Sequence, residues 1–259
     1  IGDMGGQIWR FAIGDPSLTH WTGKLIFDSN SPPPSSGVDR RKIFYPPDVS
    51  LEKDGGNYEL LIFGTGDREH PKSTSVIDRL YTLRDRNLNT VLTESNLVDV
   101  TEDLLQSSST SLSDKEAILN ALKNGSGWYI ILNQNSGEKC LSPALVFYEI
   151  SYFSTFTPSS GSVTDPCFVG EGIARLYALS YLSGNAVFNF DLTNDIGGTK
   201  TLTRNDRSTV IGTAIPSGAI ITIIEGSTAT GYIGIGGGIY KAPLKRSKVL
   251  IPVYWRQCF

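Results

Sequence analysis

Short runs of apolar side chains, each about as long as one β-strand, follow one another along most of the chain. The clearest example is residues 172–190, where two such runs flank a turn at residues 183–185. Aromatic and aliphatic side chains suit a half-buried pleated surface, and Gly184 suits a tight turn, so this stretch predicts a β-hairpin. The apolar residues of the two runs are Leu176, Tyr177 and Leu179, followed by Val187, Phe188 and Phe190.

An aliphatic residue followed by an aromatic one recurs at irregular intervals along the chain. It is found at Ile8-Trp9, Leu80-Tyr81, Leu176-Tyr177 and Ile239-Tyr240. Repeated hairpins with insertions between them are typical of a divergent β-propeller. Because one blade takes roughly 40–50 residues, the chain has room for about four or five blades. The alternative is a large β-sandwich whose strands share their composition by chance.

The same apolar pattern predicts an all-β chain with further strands. Four of them, at 128–132, 138–142, 145–148 and 151–157, are so closely spaced that they read as nearly one complete blade. The others are predicted at residues 24–27, 43–51, 58–64, 75–85, 219–224, 232–235 and 249–254, after a first hairpin at residues 1–13.

Residues 87–126 have a different, helical pattern. Residues 113–116 (SDKE) form a capping box, an apolar stripe follows, and Gly125 ends the segment. A second short helix is predicted around residues 97–106. We therefore expect a small helical insertion on one blade, which either covers a sheet edge or offers a surface to a partner.

The composition limits the classes of partner. The chain has 259 residues and a net charge of −3, which gives no general attraction to nucleic acid or to an anionic membrane. Its longest apolar runs, such as residues 219–224, are too short to span a bilayer. Residues 1–3 read as the middle of a strand–turn–strand unit. We therefore expect a fragment or processed piece whose propeller ring is incomplete, or is closed by a second polypeptide.

The most conspicuous polar cluster lies at residues 64–71 (GTGDREHP). Asp67, Glu69 and His70 are residue types that serve in acid–base catalysis. No serine or cysteine nearby has the sequence context of an activated nucleophile. The favoured interpretation is therefore a loop that connects two strands, in which Arg68 pairs with a carboxylate.

Two other segments resemble ligand-binding loops only in part. Residues 231–238 (GYIGIGGG) imitate a nucleotide-binding fingerprint, but Pro243 argues against the helix that must follow the glycines. Asp191, Thr193 and Asp195 alternate as in a calcium loop, but Leu202 stands where the acidic twelfth ligand belongs. We expect no nucleotide site, and no high-affinity calcium site built from these residues alone.

The three cysteines and two histidines have no metal-ligand spacing. One interpretation is three unrelated buried thiols. The other is a Cys140–Cys167 disulfide with Cys258 left as an odd thiol, as suits an exported protein.

Several motifs, taken in order, resemble one family. Residues 2–11 (GDMGGQIWRF) and 61–71 (LIFGTGDREHP) are similar to the C-terminal β-propeller of the PilC/PilY family of type IV pilus tip and biogenesis factors. The resemblance extends over essentially the whole chain. The remaining matching segments, in the order of that family, are residues 127–130, 137–139, 153–158, 165–167, 176–179 and 254–257.

The resemblance implies a non-enzymatic protein of the cell surface, exported through the periplasm, that supports pilus extension, surface attachment and twitching motility. It implies two partners, the minor pilins of the pilus tip and an N-terminal part of the same protein. The family's Asp-rich calcium loop would lie before Ile1, so no cofactor is expected within this chain. The oxidising compartment favours the Cys140–Cys167 disulfide.

A rival resemblance concerns residues 176–179 (LYAL) and the glycine turn after them. They are similar to the repeat of quinoprotein dehydrogenase propellers, which bind pyrroloquinoline quinone and a metal. Many of those enzymes stack the quinone on a vicinal disulfide, and this chain contains no Cys-Cys pair.

Overall fold

The computed structural model of the chain describes residues 1–33, 40–53, 56–159, 172–195, 197–223 and 229–245. Within these ranges the protein is mostly β, as predicted, with one α-helix, α1 (Leu112–Asn124). No helix in the described part is long and apolar enough to cross a membrane. The strands, in chain order, are β1 (Gln7–Ala12), β2 (Thr22–Asp28), β3 (Asp48–Glu52), β4 (Tyr58–Gly64), β5 (Arg79–Asp85), β6 (Leu92–Thr93), β7 (Val98–Asp99), β8 (Gly127–Ile131), β9 (Lys139–Cys140), β10 (Leu145–Phe147), β11 (Ile150–Thr157), β12 (Ile173–Ser180), β13 (Ser208–Thr213), β14 (Ile220–Thr222), β15 (Thr230–Ile235) and β16 (Gly238–Ala242).

The described strands form four sheets, which follow one another along the chain except that β6, which comes after β5, joins the first sheet. The first has the order β1-β2-β6 and the second β3-β4-β5-β8-β7. The third has the order β10-β11-β12-β13, with β9 also paired to β11, and the fourth is β14-β15-β16. Neighbouring strands are antiparallel except for the short parallel pairs β2–β6 and β7–β8. The antiparallel order agrees with the many closely spaced turn signals in the sequence.

The sheets pack face to face in the order in which they occur, and strand β4 shows how. Its residues Leu60 and Ile62 lie in the core shared with the third sheet, whereas Leu61 and Phe63 lie in the core shared with the first sheet. Successive side chains of a strand point to opposite faces, so a strand covered on both faces must be apolar throughout. This is why β4 reads as a continuous apolar run.

Strand β11 repeats this arrangement one sheet further on. Phe153 faces the core shared with the second sheet, and Tyr152 faces a core that includes Ile233 and Ala242 of the fourth sheet. The second and third sheets are therefore each buried between two neighbours.

The first turn of the chain is held by the Asp3 carboxylate. Its Oδ1 accepts a hydrogen bond from the Gln7 amide at 2.9 Å, and its Oδ2 accepts one from Trp9 Nε1 at 2.9 Å. Gly6 has a φ of +78°, a left-handed conformation that favours glycine. Gly2 then bridges to Ile8, so the predicted hairpin at the start of the chain is confirmed as a tight turn leading into β1.

The hairpin predicted at residues 172–190 is wrong in its second half. Strand β12 is present, but it pairs with β11 on one edge and β13 on the other. Because β13 covers this edge as far as Tyr177, the run after the turn forms only an isolated bridge from Ala186 to Leu179. Phe188 and Phe190 instead place their rings 5.8 Å apart against the third core.

Two further local predictions need correction. The helix expected at residues 97–106 is absent, because Val98 and Asp99 form β7 beside β8 and turns follow. Residues 128–157 do not make one blade, since β8 belongs to the second sheet and β9, β10 and β11 to the third. The strand predicted at residues 249–254 lies outside the described residues.

Helix α1 is confirmed, but its first turn is capped two residues earlier than predicted. The N-cap is Ser111, whose Oγ accepts from the Asp114 amide at 3.2 Å. The helix ends at Gly125, as expected from the sequence.

Candidate functional site

Residues 64–71, the candidate cluster of the sequence, connect β4 to β5 and lie against β9. A Cβ atom added to Gly64 would stand 2.4 Å from Cys140 Cβ, and one added to Gly66 would stand 2.4 Å from the Cys140 carbonyl oxygen. The Cys140 amide donates to the Thr65 carbonyl at 2.9 Å between those glycines. The glycines are therefore needed because two backbones meet here.

Asp67 organises the loop through both of its oxygens. Oδ1 accepts from the backbone amide of Glu69 at 3.0 Å, and Oδ2 lies 2.6 Å from Lys42 Nζ and 3.0 Å from His70 Nδ1. Partial burial works against ionisation, but the bonds from Lys42 and His70 outweigh it and hold the pKa of Asp67 below its usual value. Asp67 is therefore ionised at neutral pH, and its carboxylate holds the loop together.

Asp67, Glu69 and His70 are brought together as the sequence suggested. Their potential ligand atoms all lie within 4.8 Å of one another, close enough to contact one ion. However, Lys42 Nζ is 2.6 Å from Asp67 Oδ2 and 3.9 Å from Glu69 Oε2. The lysine ammonium already supplies the positive charge that these carboxylates attract, so we assign the cluster no metal.

Arg68 pairs with no carboxylate among the described residues, contrary to the prediction. Its Nη1 donates to the Leu141 carbonyl at 2.9 Å, and its guanidinium lies 5.8 Å from the centre of the Tyr45 ring. The loop runs beside the end of β9, which puts this carbonyl within reach, while Lys42 and His70 occupy the nearby carboxylate. Arg68 therefore fastens the loop to the third sheet.

A cavity of about 420 Å³ opens beside this loop. Its described walls combine cationic, anionic and hydroxyl side chains with a single aliphatic residue, Val76, so the cavity suits a polar ligand or water. The residues that line it are Arg40, Lys42, Asp67, His70, Ser73, Ser75, Val76, Asp78 and Lys139.

Asp78 and Lys139 are the two deeply buried charged residues of the cavity. Asp78 Oδ1 accepts from Thr65 Oγ1 at 2.8 Å, and burial raises the pKa of Asp78 to about 6. Burial likewise lowers the pKa of Lys139. Lys139 Nζ donates to the carbonyl oxygens of Ser73 at 2.6 Å and Gly137 at 2.7 Å, and also to Pro71. Lys139 thereby fixes the far end of the loop.

The sequence did not identify Lys42, Asp78 or Lys139 as part of this cluster. Lys139 is separated from the loop by some seventy positions, and the hydrogen bond from the Cys140 amide to the Thr65 carbonyl places it beside the loop. The sequence contained one sign that Lys139 is buried: charged residues 138 and 139 stand directly before Cys140 in a predicted strand.

In the two segments that resemble ligand-binding loops, the glycines and carboxylates have local structural roles. Residues 231–238 lie in the antiparallel pair β15–β16, without a helix after the glycines. Asp191 Oδ1 accepts from the Thr193 amide at 3.0 Å, and Asp195 Oδ1 accepts from the Thr201 amide at 3.1 Å. These carboxylate oxygens serve the folding of their own loop.

The predicted disulfide involves one described cysteine. Cys140 is buried, its Sγ lies 3.4 Å from the Ser142 carbonyl, and burial raises the pKa of its thiol to about 12. Cys167 and Cys258 lie outside the described residues, so the Cys140–Cys167 bond stays a prediction.

Comparison of the chain with family models, with curated proteins and with solved structures found no match.

Proposed function

We propose that this chain is a non-enzymatic module of a type IV pilus assembly factor or tip adhesin, related to the PilC/PilY family. In this role it supports pilus extension, twitching motility and surface attachment through contacts with minor pilins. The proposal starts from the ordered motifs that resemble that family, above all residues 2–11 and 61–71. Two features of the structure support it.

The first feature is the stacking of the sheets, which supports a propeller. In a propeller, each blade is an antiparallel sheet that follows its neighbour in the chain and packs against it. The second and third sheets have both faces covered by successive neighbours, as β4 and β11 show. We propose that the four described sheets are blades of such a propeller.

The second feature carries the proposal of a scaffold rather than an enzyme. The polar side chains at the centre of the 64–71 loop are engaged in holding the loop in place. Asp67 binds Lys42 and Arg68 binds the Leu141 carbonyl, while Lys139, on β9, binds the carbonyl oxygens of Pro71 and Ser73. A loop fastened in this way presents a fixed surface, which suits the recognition of a protein partner.

Deletion of residues 1–259 from the parent gene of a piliated strain tests the proposed role. We expect loss of surface pili and of twitching, because the assembly factor would lose its contact with the minor pilins. Restoring the intact gene is the control, and an immunoblot for the rest of the protein excludes simple loss of expression. Normal piliation in the deletion strain would refute the proposal.

Reconstitution with pyrroloquinoline quinone and calcium tests the rival assignment. We expect no dye-linked oxidation of alcohols by the loaded protein. Oxidation that depends on added quinone would overturn the pilus assignment in favour of a quinoprotein dehydrogenase.

A further inference from the structure

A second cavity, of about 240 Å³, lies where α1 meets the segment after β7 and the 3-10 helix at Arg204–Arg207. One part of its wall is aliphatic and the other part is charged or polar. Its aliphatic lining is formed by Val100, Leu104, Leu105 and Ile118, and its polar lining by Asp99, Glu102, Asp103, Asn185 and Arg207.

The charged end of this cavity contains a buried ion pair with unsatisfied atoms. Asp103 Oδ1 lies 3.1 Å from Arg207 Nη2, and the two side chains are 2% and 3% exposed. Among the described residues, Asp103 Oδ2 and Arg207 Nε have no hydrogen-bond partner, and the same is true of Asn185 Oδ1. A buried polar atom left unpaired carries the full cost of its lost hydration. Two of these atoms, Asp103 Oδ2 and Asn185 Oδ1, are acceptors on residues around one cavity, and they indicate a missing donor.

The charge around the cavity favours a cationic ligand. Glu102 is neutralised at the rim by Arg204, whose Nη1 is 2.8 Å from Glu102 Oε2. Arg207 balances Asp103, and Asp99 adds a further negative charge. Two of the three unpaired atoms, Asp103 Oδ2 and Asn185 Oδ1, are acceptors, so they require a donor group.

We propose that this cavity binds a small aliphatic primary amine. The ammonium group donates to Asp103 Oδ2 and Asn185 Oδ1, while the alkyl chain packs against Leu104, Leu105 and Ile118. Arg207 Nε, a donor, takes no part in this contact. The cavity has the volume of roughly eight water molecules at about 30 Å³ each, which accommodates a chain of about six carbons.

Binding requires small movements of the Asp103 carboxyl group and of the Asn185 side-chain amide. Asp103 Oδ2 and Asn185 Oδ1 each expose less than 1 Å², so both groups must turn about χ2 to meet the ligand. Such terminal torsions are broad, so a partial turn of each group costs little.

Hexylamine is the probe, and 1-hexanol is its neutral counterpart of nearly the same shape. Titration calorimetry and saturation-transfer NMR on the full chain at pH 7.5 measure the affinity of each. We expect hexylamine to bind at least about tenfold more tightly than hexanol, because only the ammonium compensates the acidic lining. Equal binding of the two probes, or binding of neither, overturns the proposal.

Two substitutions on α1 locate the binding. Ile118→Phe should fill the cavity and weaken hexylamine binding about tenfold or more. Leu119→Phe, at a neighbouring position that is 53% exposed, should leave the affinity unchanged. If Ile118→Phe does not fold, Leu104→Phe tests the same space from the facing segment. Undiminished binding to a folded cavity-filled variant contradicts the assignment, whatever the outcome of the piliation experiment.

Discussion

Arg84, on strand β5, donates a hydrogen bond from Nη1 to the carbonyl oxygen of Gly125, the residue at which helix α1 ends, at 3.1 Å. The same nitrogen reaches the carbonyls of Leu122 and Lys123. The last carbonyls of a helix have no partner within it and carry partial negative charge. A buried guanidinium from the sheet therefore satisfies the end of the inserted helix.

Arg84→Met should destabilise the protein by about 2–3 kcal/mol, because it removes a charged donor and leaves several buried carbonyl oxygens unpaired. Arg86→Met is the matched control, since Arg86 is more exposed and donates to Gly125 alone among these carbonyls, at 3.2 Å. Its cost should be below about 1 kcal/mol. Urea unfolding gives the free energies, and hydrogen exchange shows whether α1 opens first. Equal effects of the two substitutions would contradict this account of the helix end.

Gly66→Ala tests whether residues 64–71 are a packing motif. The added Cβ would lie 2.4 Å from the Cys140 carbonyl oxygen, so the loop and β9 must separate. We expect a loss of about 1–3 kcal/mol, as for other overpacked sites. Gly14→Ala is the control, because a Cβ added to Gly14 would meet no atom within 4 Å. Thermal melts of both variants provide the comparison, and an unchanged melting temperature for Gly66→Ala would count against close packing here.

Asp78→Asn should change how stability depends on pH. The pKa of Asp78 is about 6 in the folded protein and 3.8 in its ordinary state, because burial disfavours the charged form. Between these values the folded chain binds more protons than the unfolded chain. The free energy of unfolding therefore falls as pH rises through this range, by up to about 3 kcal/mol.

The asparagine variant lacks this contribution, so its stability should fall less between about pH 4 and pH 7 than that of the wild type. Asp103, whose pKa burial also raises to about 6, contributes equally to both proteins and cancels. Glu59→Gln, at an exposed position of β4, is the control. Urea titrations across this pH range measure the effect, and parallel pH curves for Asp78→Asn and wild type would disprove it.

If Cys140 and Cys167 form a disulfide, a digest of the unreduced exported protein should contain the two peptides cross-linked. The bond should add roughly 2–4 kcal/mol to stability by restricting the unfolded chain. Cys140→Ser and Cys167→Ser should then lower stability to a similar degree. Two free thiols at these positions in the exported protein would rule the disulfide out.

The sequence by itself determined the β character of the chain and several of its elements. Alternating and continuous apolar runs mark β2, β4, β5, β8 and β11, because a side-chain period of two and burial on both faces leave local patterns. The capping serines and Gly125 likewise mark α1 to within two residues. These properties depend on neighbours in the chain, so they can be read from it.

Strand pairing was decided only by the tertiary structure. The run containing Phe188 has the composition of a strand, yet β11 lines one edge of β12 and β13 most of the other, so the run forms only the Ala186–Leu179 bridge. Val98 and Asp99 lie in a segment with helical character and nevertheless pair with β8. Competition among segments for an edge depends on distant residues, which no local pattern reveals.

The candidate sites also contain residues whose proximity follows from the sequence and residues that only the tertiary structure brings together. Asp67, Glu69 and His70 are close in sequence, and their proximity followed from it. Lys42 and Lys139 reach the same cluster from other parts of the chain, and Asp103 meets Arg207 across more than a hundred positions. Side chains so far apart in the chain come together only when the sheets stack, because the cores between the sheets set the distances between their loops.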